Sequence, residues 1–232
     1  MVCQKGEVMG SKGEATRERI LAAAEALILA KGYAGMTLED ILGETGLTKG
    51  AFFHHFKGKA ELARAVVERY AEADFRLFEE MSARADRLAD DPYERVMVFL
   101  RLFEDFLDGL GKPFPGCVFA SYTYESRQFG PEVHSYIRER LGAWIGQYEA
   151  KLEALIATRA PTRPVTARAL AEMIVTLVEG GFVMANAFGD ATWLQRQSAQ
   201  YRAYLELLFR PDGAGTAVSG DRDAPQSRSP SG

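Results

Sequence analysis

Apolar residues recur every three to four positions along most of this chain, which is the spacing that one face of an α-helix requires. Such stripes run through segments 15–31, 59–83, 93–110, 132–158 and 192–209. Segment 165–188 is apolar on nearly all sides and predicts a helix that is buried on several faces. We find no convincing strand pattern. The pattern therefore predicts an all-α fold of about nine helices.

Clusters of glycine, proline and aspartate mark the ends of the predicted helices. They stand at 90–92, 111–116, 130–131, 161–164 and 189–190, and a short helix is predicted over 117–127. The two ends of the chain, 1–14 and 211–232, are polar. Because they carry too little apolar surface to offset the entropy of ordering, we expect a flexible arm and a disordered tail.

Two short helices around a turn are predicted between Thr37 and Phe56. Thr37 and Asp40 have the spacing of a capping box at the start of the first helix. Gly46 can take the left-handed conformation that ends a helix, and Thr48 can cap the next one. Two helices joined in this way are typical of a helix-turn-helix, whose second helix lies in the major groove of DNA.

The second of these helices has side chains suited to DNA. Phe52 and Phe56 are four residues apart and can anchor one face in a core. The other faces offer donors for phosphates and base edges, a glycine for close approach and an alanine for a thymine methyl. These residues are Thr48, Lys49, Gly50, Ala51, His54 and His55, followed by Lys59 at the next helix N-terminus.

Residues Thr16 to Tyr70 resemble the N-terminal domain of the TetR family of bacterial transcriptional regulators. The resemblance rests on TRERILAAAEALILAKGYAGMTLEDI and GLTKGAFFHHFKGKAELARAV. One position departs from the family, because Phe53 stands where members usually carry a tyrosine whose hydroxyl reaches a phosphate. Carried over by position, the resemblance implicates Thr37, Thr48, Lys49, Gly50, Ala51, His54, His55 and Lys59 in DNA binding.

The resemblance also implies an organisation and a function for the whole chain. It implies a DNA-binding domain at 15–74 and a domain for ligand binding and dimerisation at 75–210, with the last two helices as the dimer interface. The expected protein is not an enzyme but a homodimeric regulator, most simply a repressor. A small-molecule effector would release it from a double-stranded DNA operator.

Charge and cysteine content refine this picture. The formal net charge is −4, but residues 1–70 carry 10 basic and 9 acidic side chains and the remainder 18 and 23. Even the first part is barely basic, so non-specific DNA affinity should be modest and sensitive to salt. Cys3 and Cys117 are the only cysteines, and we find neither a membrane-spanning run nor a signal peptide. We therefore expect a cytoplasmic protein without a structural disulfide.

Aromatic residues in the second half could line a pocket for an apolar or aromatic effector. The predicted pocket residues are Phe103, Cys117, Tyr122, Trp144, Tyr148 and Phe182, with Phe106, Phe119 and Tyr124 as further candidates. Glu125, Glu179 and Asn186 could anchor polar groups of the ligand. Each of these side chains taken singly is also an ordinary core residue.

Three further kinds of site need to be considered: a reactive cysteine, a metal site and a cofactor site. Cys117 follows a Pro-Gly turn near a helix N-terminus, where the helix dipole would lower the thiol pKa and allow sensing of oxidants or electrophiles. The alternative is a buried, inert thiol. His54 and His55 point about 100° apart on a helix, so we expect no metal site there. We also expect no cofactor, since the chain has no phosphate-binding glycine loop after a strand.

Overall fold

Nine α-helices and one 3₁₀ turn make up the part of the chain that the computed structural model describes, residues 12–109 and 116–210. The helices are α1 (Lys12–Gly35), α2 (Leu38–Thr45), α3 (Lys49–His55), α4 (Lys59–Leu88), α5 (Pro92–Gly109), α6 (Val118–Tyr124), α7 (Pro131–Thr158), α8 (Ala167–Phe188) and α9 (Thr192–Leu208), with the 3₁₀ turn at Ser126–Gln128. The all-α prediction is confirmed. Most of the predicted arm and loop, at 1–11 and 110–115, and the tail at 211–232 lie outside the described residues.

The helix ends largely follow the capping residues that the sequence predicts. Thr37 and Asp40 form the capping box, with the Thr37 amide donating to Asp40 Oδ2 at 2.8 Å and the Asp40 amide to Thr37 Oγ1 at 3.1 Å. Gly46 ends α2 in the left-handed conformation, and the Thr48 hydroxyl caps α3. One prediction is wrong in part, because α1 begins at Lys12, within the predicted flexible arm.

The first core lies among α1, α2, α3 and the first half of α4. Phe52 and Phe56 are both buried in it, as their spacing predicts, with their ring centroids 6.0 Å apart. The same core takes in α6 and the start of α7 through Val118, Tyr122 and Val133. Helix α6 is therefore packed against the helix-turn-helix unit although it lies far along the sequence.

The second core lies among α5, α7, α8, α9 and the second half of α4. Its buried residues include Phe78 on α4, Phe99 on α5 and Tyr148 on α7. Helix α4 is thirty residues long, and its buried side chains contribute to the first core up to Ala71 and to the second from Phe78. One continuous helix therefore connects the two cores.

Helix α8 is the most apolar helix of the described chain. An 18-residue window in it has a mean hydropathy of 1.4, which is enough by length and composition to cross a membrane, and 33% of that window is buried. The helix carries Arg168, Glu172 and Glu179 and is therefore not an uninterrupted apolar run. The core helix of a soluble protein passes the same test, and α8 packs between α7 and α9. Its exposed apolar side chains include Val183 and Phe188.

Candidate nucleic-acid interface and the buried cavity

One side of α3 is exposed to solvent while the opposite side is held in the first core. Lys49, Gly50 and His54 are exposed, and Ala51 and His55 are half-buried. The Thr48 hydroxyl accepts a hydrogen bond from the Ala51 amide at 3.3 Å, which fixes the first turn of the helix. The exposed side thus presents an ammonium group, an imidazole and a bare stretch of backbone, all suited to phosphates and base edges.

Two of the predicted DNA-binding residues have structural partners instead of free side chains. The Thr37 hydroxyl donates to Asp40 Oδ2 at 2.6 Å, inside the capping box. Lys59 Nζ lies 4.3 Å from the centroid of the Tyr33 ring and donates to the Ala34 carbonyl at 3.3 Å. Burial lowers the pKa of Lys59, partly offset by the nearby Glu125 carboxylate. Both residues therefore hold the junction between α1, α2 and α4.

Phe53 is a candidate contact that the sequence argument set aside. Its side chain is 46% exposed on α3, and its ring meets the buried Phe52 edge-on with centroids 5.4 Å apart. An exposed phenylalanine on the same helix as Lys49 and His54 can pack against sugar or a thymine methyl. The sequence could have indicated this exposure. Phe52 and Phe56 share the buried face of α3, and Phe53, directly after Phe52, points to a different side.

Comparison with known families covers both halves of this architecture. The family model for bacterial regulatory proteins of the TetR family matches residues 20–66. A second model, for the C-terminal domain of LmrA/YxaF-like transcriptional regulators, matches residues 92–200. The chain belongs to the TetR family. Members of this family are DNA-binding transcriptional regulators that form dimers.

Individual relatives agree with this assignment. A helix-turn-helix regulator from the lacX 3′ region of Lactococcus lactis is 46% identical over 55 residues, which are 24% of this chain and 28% of that protein. The regulator LmrA of Bacillus subtilis is 27% identical over 182 residues, covering 76% of this chain and 89% of LmrA. A TetR regulator from Chloroflexus aurantiacus is 28% identical, with a TM-score of 0.70 over 86% of this chain and 98% of that one.

A cavity enclosed by α4, α5, α7 and α8 and by the start of α6 lies in the C-terminal part of the molecule. Its cavity volume is about 50 Å³. Among the residues predicted for a pocket, Phe103, Cys117, Trp144, Tyr148 and Phe182 line it, and so do Phe106, Phe119 and Glu179. Half of the lining residues are aromatic, and most of the others are aliphatic.

Four predicted pocket residues lie elsewhere. Tyr122 stacks on Phe129 in the first core, with ring centroids 4.4 Å apart, and its hydroxyl donates to the Ala63 carbonyl at 2.8 Å. Tyr124 is 73% exposed. Glu125 binds backbone amides at the end of α1, and Asn186 is exposed beside a separate cleft. The sequence alone does not assign these residues to core, surface or cavity, because their environment depends on how α6 and α8 pack.

Two half-buried carboxyl groups line the cavity, and the sequence argument missed one of them. Asp74 of α4 and Glu179 of α8 both face it. Burial, reinforced by the charge of Glu179, raises the pKa of Asp74 to about 7. Burial also raises the pKa of Glu179, whose Oε1 accepts a hydrogen bond from Cys117 Sγ at 3.4 Å. Asp74 has the local sequence of a surface residue on an amphipathic helix, so only the fold reveals its burial.

Of the two interpretations of Cys117, the structure supports the buried thiol. Cys117 is 4% exposed, and burial together with the charge of Glu179 raises the pKa of its thiol well above the usual value. The Ala120 amide at the start of α6 acts in the predicted direction, but burial outweighs it. The thiol is therefore neutral and enclosed, which removes the chemical basis for a reactive sensor.

We expect Cys117 to react slowly with an alkylating agent in the folded protein. In a Cys3→Ser variant, iodoacetamide at pH 7.4 should modify Cys117 roughly a hundredfold more slowly than in urea, since the thiolate and its access are both suppressed. Mass spectrometry of the Cys117 peptide over time measures both rates. Equal rates in buffer and urea would restore Cys117 as a candidate sensor.

Helix α6 connects the cavity to the helix-turn-helix unit. Cys117 and Phe119 line the cavity at its first end. At its other end, the Glu125 carboxylate accepts hydrogen bonds from the Tyr33 and Ala34 amides, both at 2.7 Å. Gly32 has a non-helical backbone conformation that breaks α1. The two amides lie between this break and Thr37, which caps α2. A displacement of α6 would therefore act on the end of α1, which leads into α2.

Proposed function

We propose that this chain is a transcriptional repressor that a small molecule releases from its operator. The observation that carries the proposal is the placement of α6, which contributes Phe119 to the cavity and Glu125 to the junction of α1 and α2. A ligand that binds the cavity more tightly in one position of α6 than in another shifts the equilibrium between the two positions. The ratio of the two affinities sets the size of that shift, and α3 would follow α6.

The proposal includes a homodimer through α8 and α9. Large apolar side chains are exposed along both helices: Met173, Val183, Met184 and Phe188 on α8, and Tyr204 and Leu207 on α9. Phe188 is 66% exposed and Leu207 is 52% exposed. A second copy of the chain would cover these side chains and form a four-helix interface, as the family resemblance implies.

A dimer would place two α3 helices on one partly palindromic operator. Their separation would be about 34 Å, one turn of DNA, or a near multiple. The chain as a whole is acidic, so specific binding would depend on two copies of a small basic surface acting together. Since operators lie on the chromosome, we place the protein in the cytoplasm.

The Lys49→Ala substitution tests the docking of α3. Lys49 is exposed, so its loss should leave folding intact and remove one phosphate contact per subunit. We expect operator affinity to fall about tenfold, and the slope of log K against log salt to decrease by about two for the dimer. Fluorescence anisotropy with labelled DNA from upstream of the gene, at several salt concentrations, measures both quantities.

Arg84→Ala is the matched control for Lys49→Ala. It removes the same charge from an exposed position on α4, roughly 38 Å along the helix from Lys59. We expect the Arg84 variant to bind like the wild type. If the two variants lose affinity equally, or neither does, then α3 does not contact DNA in the proposed way.

A further inference from the structure

We propose that the cavity binds a lipophilic organic cation, an amine or quaternary ammonium ion with an aromatic body, whose charge pairs with Asp74 and Glu179. This rests on the proposed function in so far as the cavity is the effector site, and it adds the chemical class of the effector. Three independent features of the cavity support it: an acidic pair without a counter-ion, an aromatic wall and two buried donors without partners.

The acidic pair has no basic partner within the described residues. Asp74 and Glu179 come from different helices, face the same cavity and repel each other electrostatically. The other titratable groups that act on Asp74, Glu179 or their neighbours in the cavity are acidic or neutral: Glu25, Tyr70, Cys117, Tyr148 and Tyr201. Ionising two half-buried carboxyl groups beside one another is unfavourable without a cation, and a ligand cation would compensate both at once.

The basic residues of α4 on either side of Asp74 already have acidic partners. Arg76 is exposed, and its Nη1 lies 3.9 Å from Glu72 Oε2. Arg69 of α4 forms ion pairs with Glu18 and with Glu25, the latter at 2.5 Å. Glu25 is thus neutralised, and Arg69 is turned toward α1 and not toward the cavity. None of these basic side chains therefore neutralises the acidic pair, which is left to interact with a molecule that enters the cavity.

The wall of the cavity suits the rest of such a ligand. Phe78, Phe99, Trp144 and Tyr148 form one aromatic cluster, in which the Phe78 centroid lies 4.9 Å from Phe99 and 5.0 Å from Tyr148. Aromatic faces attract organic cations electrostatically and pack against aromatic bodies. The same wall would bind a neutral aromatic molecule, so the acidic pair determines the preference for a positive charge.

Two buried donors of the wall point to a ligand as well. Tyr148 is 4% exposed, and its hydroxyl has no hydrogen-bond partner among the described residues. The same holds for Nε1 of Trp144, and both side chains line the cavity. Buried donors normally have partners. An ether or carbonyl oxygen on the ligand body would accept from them while its cationic end pairs with Asp74 and Glu179.

A matched pair of probes tests the charge preference. We would use the (naphthylmethyl)trimethylammonium ion and its neutral carbon isostere, neopentylnaphthalene, in equilibrium dialysis against the full chain at pH 8. The two molecules have the same shape, and the cation cannot lose its charge by deprotonation. We expect the cation to bind at least about tenfold more tightly than the isostere.

Isosteric variants assign that preference to the two carboxyl groups. In the double variant Asp74→Asn, Glu179→Gln, affinity for the cation should fall at least about tenfold while affinity for the isostere changes by less than about twofold. The double variant Asp105→Asn, Glu153→Gln removes two exposed acids on α5 and α7 and should bind both probes like the wild type. Unchanged binding of the isostere shows that the cavity is still folded.

Three outcomes would overturn the proposal. The wild type could bind both probes equally, or the cavity variant could keep the full preference for the cation. A preference that appears only after Lys112→Gln would assign the counter-ion to Lys112, which lies outside the described residues, and would equally reject a cationic ligand.

Operator binding measured in the same samples separates this inference from the proposed function. If the isostere releases operator DNA but the wild type shows no preference for the cation, the cavity is an effector site and the cation proposal is wrong. If the cation binds as expected but the operator complex is unchanged, the assignment of the cavity stands and release by an effector is wrong.

Discussion

Replacing Gly32 with alanine should destabilise the protein by about 3 kcal/mol. Gly32 has φ 76° and ψ 165°, a backbone conformation that is essentially restricted to glycine. A Cβ atom at this position would also overlap the Glu125 carboxylate, which holds the Tyr33 and Ala34 amides. The substitution would therefore strain the backbone and displace the group that connects α6 to the helix-turn-helix unit.

Thermal unfolding measures this effect. For a chain of 232 residues, the expected loss corresponds to a decrease in Tm of roughly 6–10 °C. Gly43→Ala is the matched control, because Gly43 lies within α2 with open space around it. That substitution should leave stability unchanged or raise it by about 0.5–1 kcal/mol.

A variant that already lacks the Glu125 carboxylate separates the two causes of the destabilisation by Gly32→Ala, which are backbone strain and steric overlap. In a Glu125→Ala variant the steric overlap is absent, so adding Gly32→Ala should cost only the backbone strain, about 1–2 kcal/mol and less than the loss in the single variant. An unaltered Tm in the Gly32 single variant would mean that the break in α1 and its contact with Glu125 are not as described.

The Asp74→Asn substitution should stabilise the protein by roughly 2–4 kcal/mol at pH 8. The pKa of Asp74 is raised by burial from 3.8 to about 7 in the folded protein. The folded state therefore holds its proton more tightly than the unfolded state. Between these two values stability must fall as the pH rises, because folding increasingly requires a buried negative charge.

Denaturant unfolding between pH 5 and pH 8 measures that dependence. The wild type should lose stability across this range, whereas the Asp74→Asn variant, which cannot ionise at that position, should lose much less. Asp105→Asn changes an exposed aspartate on α5 and should follow the wild type. If the variant and the wild type have parallel pH profiles, Asp74 does not carry the raised pKa.

Asp74, unlike Gly32, is a position at which the native residue lowers stability. An asparagine at 74 would be more stable at neutral pH, and the chain nevertheless keeps a carboxyl group there beside Glu179. Groups that are unfavourable for folding often belong to binding sites, where a ligand compensates them. The acidic pair fits this pattern.

The sequence was sufficient for the helices and for α3, because their signals are local. A capping box, a left-handed glycine and two phenylalanines four residues apart each act within one or two turns. The predicted end of the first helical segment at residue 31 likewise agrees with the break in α1 at Gly32. Local signals also identified Lys49 and His54, since the anchoring of Phe52 and Phe56 leaves them on the exposed side.

The cavity could be predicted only in part, because its lining depends on how distant helices pack. Trp144 and Tyr122 look alike in sequence, but α7 brings one into the cavity and α6 brings the other against α4. Asp74 becomes buried only when α8 places Glu179 opposite it. Lys59 and Glu125 likewise acquire their partners from segments that are distant in sequence.

The most direct test of the account is the affinity of the full chain for DNA upstream of its own gene, against a shuffled fragment of equal composition. Fluorescence anisotropy across a salt series, with stoichiometry, is the measurement. We predict binding by pairs of chains, at least about 10³-fold tighter than to the shuffled fragment at physiological salt. Equal affinity for both fragments at every salt concentration would contradict sequence-specific recognition by α3 at that site.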